Sequence, residues 1–434
     1  MTYQEMIDYL FTRLPMFSRI GAAAYKADLT NTIKLCQAIG DPHTKFRSVH
    51  VAGTNGKGSV SHMLAAIFQT AGYKTGLYTS PHLKDFRERI TINGEFISKV
   101  FIIDFVEKIK PLIEEIEPSF FEITVAMAFQ YFAKQKVDIA VVEVGLGGRL
   151  DSTNIISPEL SVITNISYDH MNLLGSTLEN IAFEKAGIIK KNIPVVIGEY
   201  QNATHEVFEK KAAQENAMLI FADKKRFVAE WKFDKTELVA EVTSTHNNEK
   251  NYYHLDLTGI YQIKNLVTVL EAVHQMQQKD WKINESHLQK ALRQVKRLTG
   301  LHGRWEIVHE HPTIALDVAH NEDGIKQLVE QIEITDHEEL HIVIGLVKDK
   351  NIEKILSLLP KHAHYHFTRA QIPRALPEIE LLEKANAAGL KGNHFPDVNT
   401  ALRYAISEAG KKDLIIVCGS VFVVGEVELN ENWS

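Results

Sequence analysis

The stretch GTNGKGS, residues 53–59, places glycines, a lysine and a hydroxyl between an apolar run, SVHVA, and an amphipathic segment. Glycines let backbone N–H groups converge on phosphate oxygens, the helix that follows offers its positive end, a lysine reaches terminal phosphates and a hydroxyl can ligate Mg2+. Lys57 and Ser59 suit the last two roles. The usual phosphate loop has Ser or Thr directly after the lysine, whereas here Gly58 intervenes. A glycine turn that merely joins strand to helix is the alternative. In DIAVVEVGLGGRLDSTN, an apolar run emerges at Glu143 into a glycine-rich turn. A carboxylate at a strand's C-terminal edge beside a phosphate loop is where such enzymes hold Mg2+, a wet sheet edge being the other reading. VITNISYDH sets Asp169 and His170 just past the next run, and His170 is a candidate metal ligand or a structural histidine.

Elements of two kinds must position these residues. After two N-terminal helical stretches, strands at 48–52, 73–80, 138–145, 160–166 and 193–198 alternate with helices, and the apolar runs are of the kind buried on both faces of a parallel sheet. RITINGEFI reads as a hairpin turning at Asn93-Gly94. Helices are expected near 99–117, 122–135, 262–279 and 285–297. From about 217 to 260, alternating aromatic segments such as RFVAEWKF and NYYHLDL suggest a small antiparallel sheet. LTGLHGRWE, 298–306, looks like a linker, after which TIALDV, ELHIVIGL, AHYHF and DLIIVCG restart the alternation. The expectation is α/β: a P-loop-type, mostly parallel sheet with a small antiparallel subdomain in residues 1–297, and a smaller Rossmann-like α/β domain in 298–434.

The 434 residues suit two domains, and a net charge of −7 gives no sign of nucleic-acid or membrane affinity. Cys36 and Cys418 are too few for a disulfide framework, and the first residues are acidic where a signal peptide would be basic. The cytoplasm is the expected compartment and a monomer the expected state, and no apolar run approaches a membrane span.

GTNGKGS, LYTSPHL, RITINGE, FFEITVAMAFQYFA, VDIAVVEVGLGGRLDSTN, YDH followed by EKAGIIK, and LDVAHNEDG occur in one order along the chain. That order resembles folylpolyglutamate synthases and dihydrofolate synthases of the Mur ligase superfamily, ATP-dependent amide-bond formers. The likeness runs from about residue 30 to VCGSVFVVGEV near the C-terminus. In that family a glycine between lysine and serine is the expected form of the loop.

The resemblance implies that Lys57 and the amides of Gly53, Thr54, Asn55, Gly56, Gly58 and Ser59 hold ATP phosphates, and that Ser59, Ser80 and Glu143 bind one Mg2+. His170 resembles the ligand of a second Mg2+, and Lys185 of EKAG the lysine carbamylated by CO2. Carbamylation turns a cation into a carboxylate able to ligate metal; a solvated helix lysine is the plain alternative. Asn265, Arg304, Asp317 and His320 match positions enclosing ATP, with Arg304 suited to phosphate, Asp317 to ribose hydroxyls, and Asn265 and His320 to the base or neighbouring substrate. Phe121 and Asp151 match the pterin side of a folate pocket, one to stack and one to accept N–H bonds, and Ser420 is a candidate for the incoming glutamate.

Val318 stands where the family usually has Gly, crowding a turn beside the nucleotide, while Arg149 and Asp151 follow bacterial enzymes that act on both dihydropteroate and folate. The implied reaction passes the γ-phosphoryl group of ATP to a folate or dihydropteroate carboxylate, after which the amine of L-glutamate displaces phosphate. Rival readings are a monofunctional folylpolyglutamate synthase, a cell-wall Mur ligase and a non-catalytic P-loop regulator. In KHAHYHF, alternate histidines His362, His364 and His366 can in principle ligate metal, but a solvated strand face is expected.

Overall fold

The computed structural model describes residues 2–16, 21, 28–234 and 236–429. Eight strands form the first sheet: β1 (Arg47–Ala52), β2 (Thr75–Tyr78), β3 (Ile90–Ile92), β4 (Glu95–Phe96), β5 (Ile139–Glu143), β6 (Leu160–Ile163), β7 (Val195–Ile197) and β8 (Leu219–Phe221). Their order is β4-β3-β2-β5-β1-β6-β7-β8, with β3 and β4 antiparallel and the rest parallel. Alternate residues divide the two faces. Val49, Val51, Val141 and Val162 share a core with the helices Lys57–Thr70 and Gln262–Gln278. Tyr78, Ala140 and Val142 share another with Lys99–Ile116 and Phe120–Gln135. Because helices cover both sides, the strands carry no polar face, which is why they read as continuous apolar runs.

Local chemistry fixes the ends of these elements. Asn93 and Gly94 take φ of 50° and 79°, the pair of positive values that a two-residue hairpin needs to match strand twist. Ser119 Oγ accepts from the Glu122 amide at 3.2 Å while the Glu122 carboxylate accepts from the Ser119 amide at 2.6 Å. This reciprocal cap satisfies two donors that the helix cannot.

The small sheet begins later than the sequence suggests. β8 pairs parallel with β7 and extends the large sheet, since a three-residue apolar run carries no alternation to mark its partner. The antiparallel sheet is β9 (Arg226–Asp234), β10 (Glu237–Ser244) and β11 (Lys250–Leu255), in the order β11-β10-β9. Leu238, Ala240 and Val242 of β10 seat it on the core shared with Gln262–Gln278. The helix expected at 285–297 is two, Glu285–Leu292 and Val295–Thr299.

The second sheet holds β12 (Glu306–Glu310), β13 (Thr313–Leu316), β14 (Leu340–Ile344), β15 (His364–Phe367), β16 (Gly392–His394) and β17 (Leu414–Cys418). Its order is β12-β13-β17-β14-β15-β16, parallel except for β12. The expected solvated face of His362, His364 and His366 needs correction. His362 precedes the strand and His364 is exposed, but His366 is buried, its Nε2 3.2 Å from His341 Nδ1 and its ring 5.8 Å from that of Tyr404. The helix Val398–Glu408, which carries Tyr404, covers one end of that face, a contact that no local pattern announces.

Candidate active site

The C-terminal ends of β1, β2, β5 and β6 meet at one edge of the large sheet, the place where open α/β sheets receive ligands. Between β1 and the helix Lys57–Thr70, Gly53 and Gly56 have φ of 144° and 81°. A Cβ at Gly53 would collide with Thr164 Oγ1 and one at Gly56 with Asn265 Oδ1, so this path is open to glycine alone. Residues past β6 hold the loop in place. The Thr54 amide donates to Asn165 O at 3.0 Å, and the Asn55 amide to Asn165 Oδ1 at 2.9 Å. Lys57 curls back, its Nζ donating to the carbonyls of Gly53 and Thr54 at 3.1 and 3.0 Å. Burial pushes its amine below the usual lysine range, against the pull of Glu143 and Asp169.

Glu143 ends β5 opposite Val51 of β1. Its Oε2 accepts from the Ser80 amide at 3.1 Å, and burial raises its pKa although Lys57 opposes. A buried carboxylate with so few donors is costly unless a cation joins it. Ser59, whose Oγ accepts from Gln262 Nε2 at 3.1 Å, opens the same helix. One carboxylate with hydroxyls and substrate phosphates is a set that suits a divalent ion such as Mg2+. Among the described residues, no group of three or more His, Cys, Asp or Glu side chains could hold a metal unaided, so substrate oxygens must complete such a set.

His170 takes φ of 47° before the short helix Met171–Leu174, and its Nε2 lies 3.8 Å from Asp169 Oδ2. Burial, reinforced by Lys350, lowers its pKa to about 3, leaving a neutral imidazole. For Asp169, burial pushes the carboxyl up, but Lys350, His320 and His170 outweigh it and hold it well below the usual range. Lys185 is not a solvated helix lysine. It is buried beneath the loop, with Nζ donating to Gly53 O at 2.7 Å, and burial together with Lys57 brings its pKa down to about 7.

Residues of the second sheet close the far side. Asn55 Nδ2 donates to Asn321 Oδ1 at 3.2 Å and Asp323 Oδ2 at 2.8 Å, and Asn321 Nδ2 returns a bond to Asn55 Oδ1 at 2.9 Å. Lys350 pairs with Asp169, and His320 Nε2 approaches the same carboxylate at 3.4 Å. Asn265 is buried beside Gly56, Nδ2 donating to Gln262 Oε1 at 2.7 Å. Arg304 would meet a Cβ on Gly58 at 3.4 Å. Asp317 accepts from Tyr261 Oη at 2.6 Å and from the Trp305 and Ala319 amides at 2.9 Å each. A carboxylate has about four acceptor sites, so little capacity is left for a ribose. Val318 is not among the described residues with positive φ; its side chain packs beside Gly303, so the crowded turn is relieved by the neighbouring glycine.

Asp151 and Ser420, both expected at the substrates, line the cavity and also make local hydrogen bonds. Asp151 Oδ2 accepts from the Gly145 and Leu146 amides at 3.0 and 2.9 Å, and Oδ1 from the Thr153 amide at 3.0 Å and from its hydroxyl. Those four bonds make the carboxylate a shaper of its own turn. Asp151→Ala is therefore expected to depress kcat/KM for both dihydropteroate and folate, by factors within about threefold of each other; a loss confined to one substrate in steady-state assays would contradict this. Ser420 caps the helix Val421–Gly425, its Oγ accepting from the Val423 amide at 3.1 Å. Its hydroxyl proton is still available to a ligand.

One cavity of about 670 Å³ joins these groups, running from Lys57, Glu143 and His170 past Arg304 and Ser420 to Phe121. At its other end Arg89 is buried, with Nε donating to His82 Nδ1 at 2.8 Å and its guanidinium 5.3 Å from the Phe120 ring. Gly53 and Lys185 lie behind the loop, outside the lining. Lys350, Asn321, Tyr261 and Arg89 were missed from sequence, where the only signals were a lysine just past a strand end in GLVKDK and the arginines of FRERI.

An apolar-walled cleft between a phosphate loop and a second α/β sheet defines an ATP-dependent acid–amino-acid ligase of the Mur type. The Mur ligase middle domain family matches residues 51–273 and the Mur ligase glutamate ligase domain family residues 303–421. A dihydrofolate synthase/folylpolyglutamate synthase of Bacillus subtilis is 34% identical over 438 residues, 98% of each chain. Among solved structures, an Escherichia coli enzyme in complex with DHPP and ADP aligns with TM-score 0.84 and 27% identity over 98% of this chain and 96% of that one. A Yersinia pestis bifunctional folylpolyglutamate synthase/dihydrofolate synthase, complexed with AMPPNP and a Mn ion, aligns with TM-score 0.82 and 27% identity over 98% and 97%. The chain belongs to the folylpolyglutamate synthase/dihydrofolate synthase family. No helix among the described residues is long and apolar enough to cross a membrane.

Proposed function

We propose that the chain joins L-glutamate to both folates and dihydropteroate, using residues 1–297 to hold ATP and residues 298–434 to bring the amino acid. The observation that carries this reading is the single cavity, in which the phosphate loop, the aromatic end near Phe120 and Phe121, and the glutamate-ligase side at Ser420 share one space. Three reactants can meet in that one space.

Lys57 would turn from its loop carbonyls to the phosphates, with Arg304 facing it across the loop. A carboxylate oxygen of the pteroate or folyl tail bonds to the γ-phosphorus as the bond to the β-phosphate oxygen breaks, giving an acyl phosphate and ADP. The glutamate nitrogen then attacks the acyl carbon, phosphate leaves with the C–O electron pair, and the nitrogen sheds a proton. Ser59, Ser80 and Glu143 would hold one Mg2+, and His170 with a carbamylated Lys185 a second; when bound, the ions offset charge on the phosphoryl oxygens. The second sheet shields the labile acyl phosphate from water.

A substrate panel tests the assignment. ATP hydrolysis should rise when glutamate and dihydropteroate are added together, and again with tetrahydrofolate, but not with a UDP-muramoyl peptide. Enzyme inert towards dihydropteroate would end the case for two activities. Separate metal roles predict a further split: Glu143→Gln should weaken nucleotide binding by about tenfold or more, whereas His170→Ala should mainly lower kcat. Equal ATP affinity and normal turnover in both variants would count against the pair.

A further inference from the structure

We propose that His50, which lies behind the wall of the cavity, is a positioning residue for the pterin end of the active site and acts through Thr153 and Asp151, an inference that rests on the proposed reading of the Phe120 and Phe121 end as the place of the pterin. His50 is fully buried in the large sheet, on β1 opposite Val142 of β5 and Ser161 of β6. A polar ring among apolar strands is costly unless it is hydrogen-bonded, and this one uses a single nitrogen. Its Nε2 lies 2.8 Å from Thr153 Oγ1, whereas Nδ1 is buried without a hydrogen-bond partner among the described residues.

The direction of that bond follows from its neighbours. The amides of Gly145, Leu146 and Thr153 all donate to Asp151, at 3.0, 2.9 and 3.0 Å, so the carboxylate is the acceptor. Thr153 Oγ1 makes the fourth contact, giving its one proton to Asp151 Oδ1. The hydroxyl then has only lone pairs left to offer, and His50 must donate from Nε2. Burial and the Lys190 ammonium bring the pKa of the ring down to about 3, so it carries that one proton and leaves Nδ1 bare. The other tautomer would compete with Asp151 for the hydroxyl proton. His50 therefore selects the hydroxyl orientation in which Thr153 holds Asp151.

The chain of bonds supports a wall of the cavity. Gly145, Leu146 and Asp151 line it, while His50 and Thr153 do not. A Cβ on Gly145 would fall 2.5 Å from Phe121 Cζ and 3.3 Å from Asp151 Oδ2, so the turn lies close against both the ring and the carboxylate. The three amide donors belong to the same loop as Asp151 and move with it. His50 belongs to β1 and ties the carboxylate to the core of the sheet. Without that tie the turn and the Phe121 ring lose their fixed spacing, while the phosphate loop stays in place, held by Asn165 and Thr164.

Steady-state kinetics of the full chain read this role. His50→Leu should raise KM for the pterin substrate, dihydropteroate or tetrahydrofolate, by about tenfold, the scale of one buried hydrogen bond lost, with KM for ATP and for glutamate within about twofold of wild type. Thr153→Val, which removes the hydroxyl, should match it, and the double variant should be no worse than either single, because both cut one chain of bonds. His50→Gln, which offers an amide N–H near the position of Nε2, should return KM to within about threefold of wild type. Phe121→Ala locates the pterin: if KM for the pterin substrate does not move there, the reading of this end fails and the inference falls with it. The positioning role alone is overturned if Phe121→Ala raises that KM while His50→Leu does not, if His50→Leu moves all three KM values together, or if glutamine fails to restore what leucine loses.

Discussion

Lys57→Ala should lower kcat/KM for ligation by about 10³-fold, the scale seen when one preorganised charge-stabilising donor is removed, while the folded state persists. Both halves of that expectation come from the same contacts. Among the described residues the ammonium's hydrogen bonds go to the carbonyls of Gly53 and Thr54, and burial disfavours its charge, so its removal relieves desolvation and takes away little packing. The loop keeps its path, because Asn165 and Thr164 hold it independently of the lysine. What disappears is the loop's own cation, the one able to follow charge from the loop onto the γ-phosphoryl oxygens. Thermal unfolding and kcat/KM measured on the same preparation check this, and a folded variant with near-normal turnover would refute the loop's role.

Lys185→Ala is expected to have a comparable effect through a different route. An ammonium beneath the phosphate loop, held by Gly53 O and near Lys57, is poorly placed beside a metal, whereas a neutral amine there can add CO2, lose a proton and become a carbamate. Wild-type activity should therefore fall several-fold in CO2-stripped buffer and recover with bicarbonate, and intact-mass analysis under non-acidic conditions should show the gain of one CO2. The alanine variant should lose about 10³-fold in kcat and be insensitive to bicarbonate. Partial recovery with formate or acetate is also expected, since the shortened side chain leaves room for a small carboxylate. If the alanine variant turns over normally, the lysine is merely a buried anchor for Gly53.

Much of this site is legible because its chemistry is written in short segments. Gly53 to Ser59 owe their conformation to their own glycines, and Glu143 is conspicuous as a charge at the end of a Val-rich run. Lys350 is not legible in that way: its meaning comes from Asp169, some 181 positions earlier, and only the packing of the second sheet brings them together. Asp151 is legible only in part. A carboxylate beside an aromatic residue in a pocket invites a ligand, but the four donors that fill it come from its own turn. The fold shows the same division. The turn at Asn93-Gly94 is local and is read directly, while the pairing of β8 with β7 and the cover over His366 depend on distant elements.

The side chain of Asn55 belongs to the phosphate loop yet is bonded to Asn321 and Asp323, at the start of the helix Glu322–Glu333. A ligand that draws the loop's amides toward itself must therefore be felt by the other half of the cleft, and thermodynamic linkage makes the influence reciprocal. If nucleotide raises affinity for the amino acid by some factor, the amino acid raises affinity for nucleotide by that same factor. Asn55→Ala should shrink both factors together, so that paired titrations trace one square of four equilibria whose opposite sides stay equal even as the coupling fades.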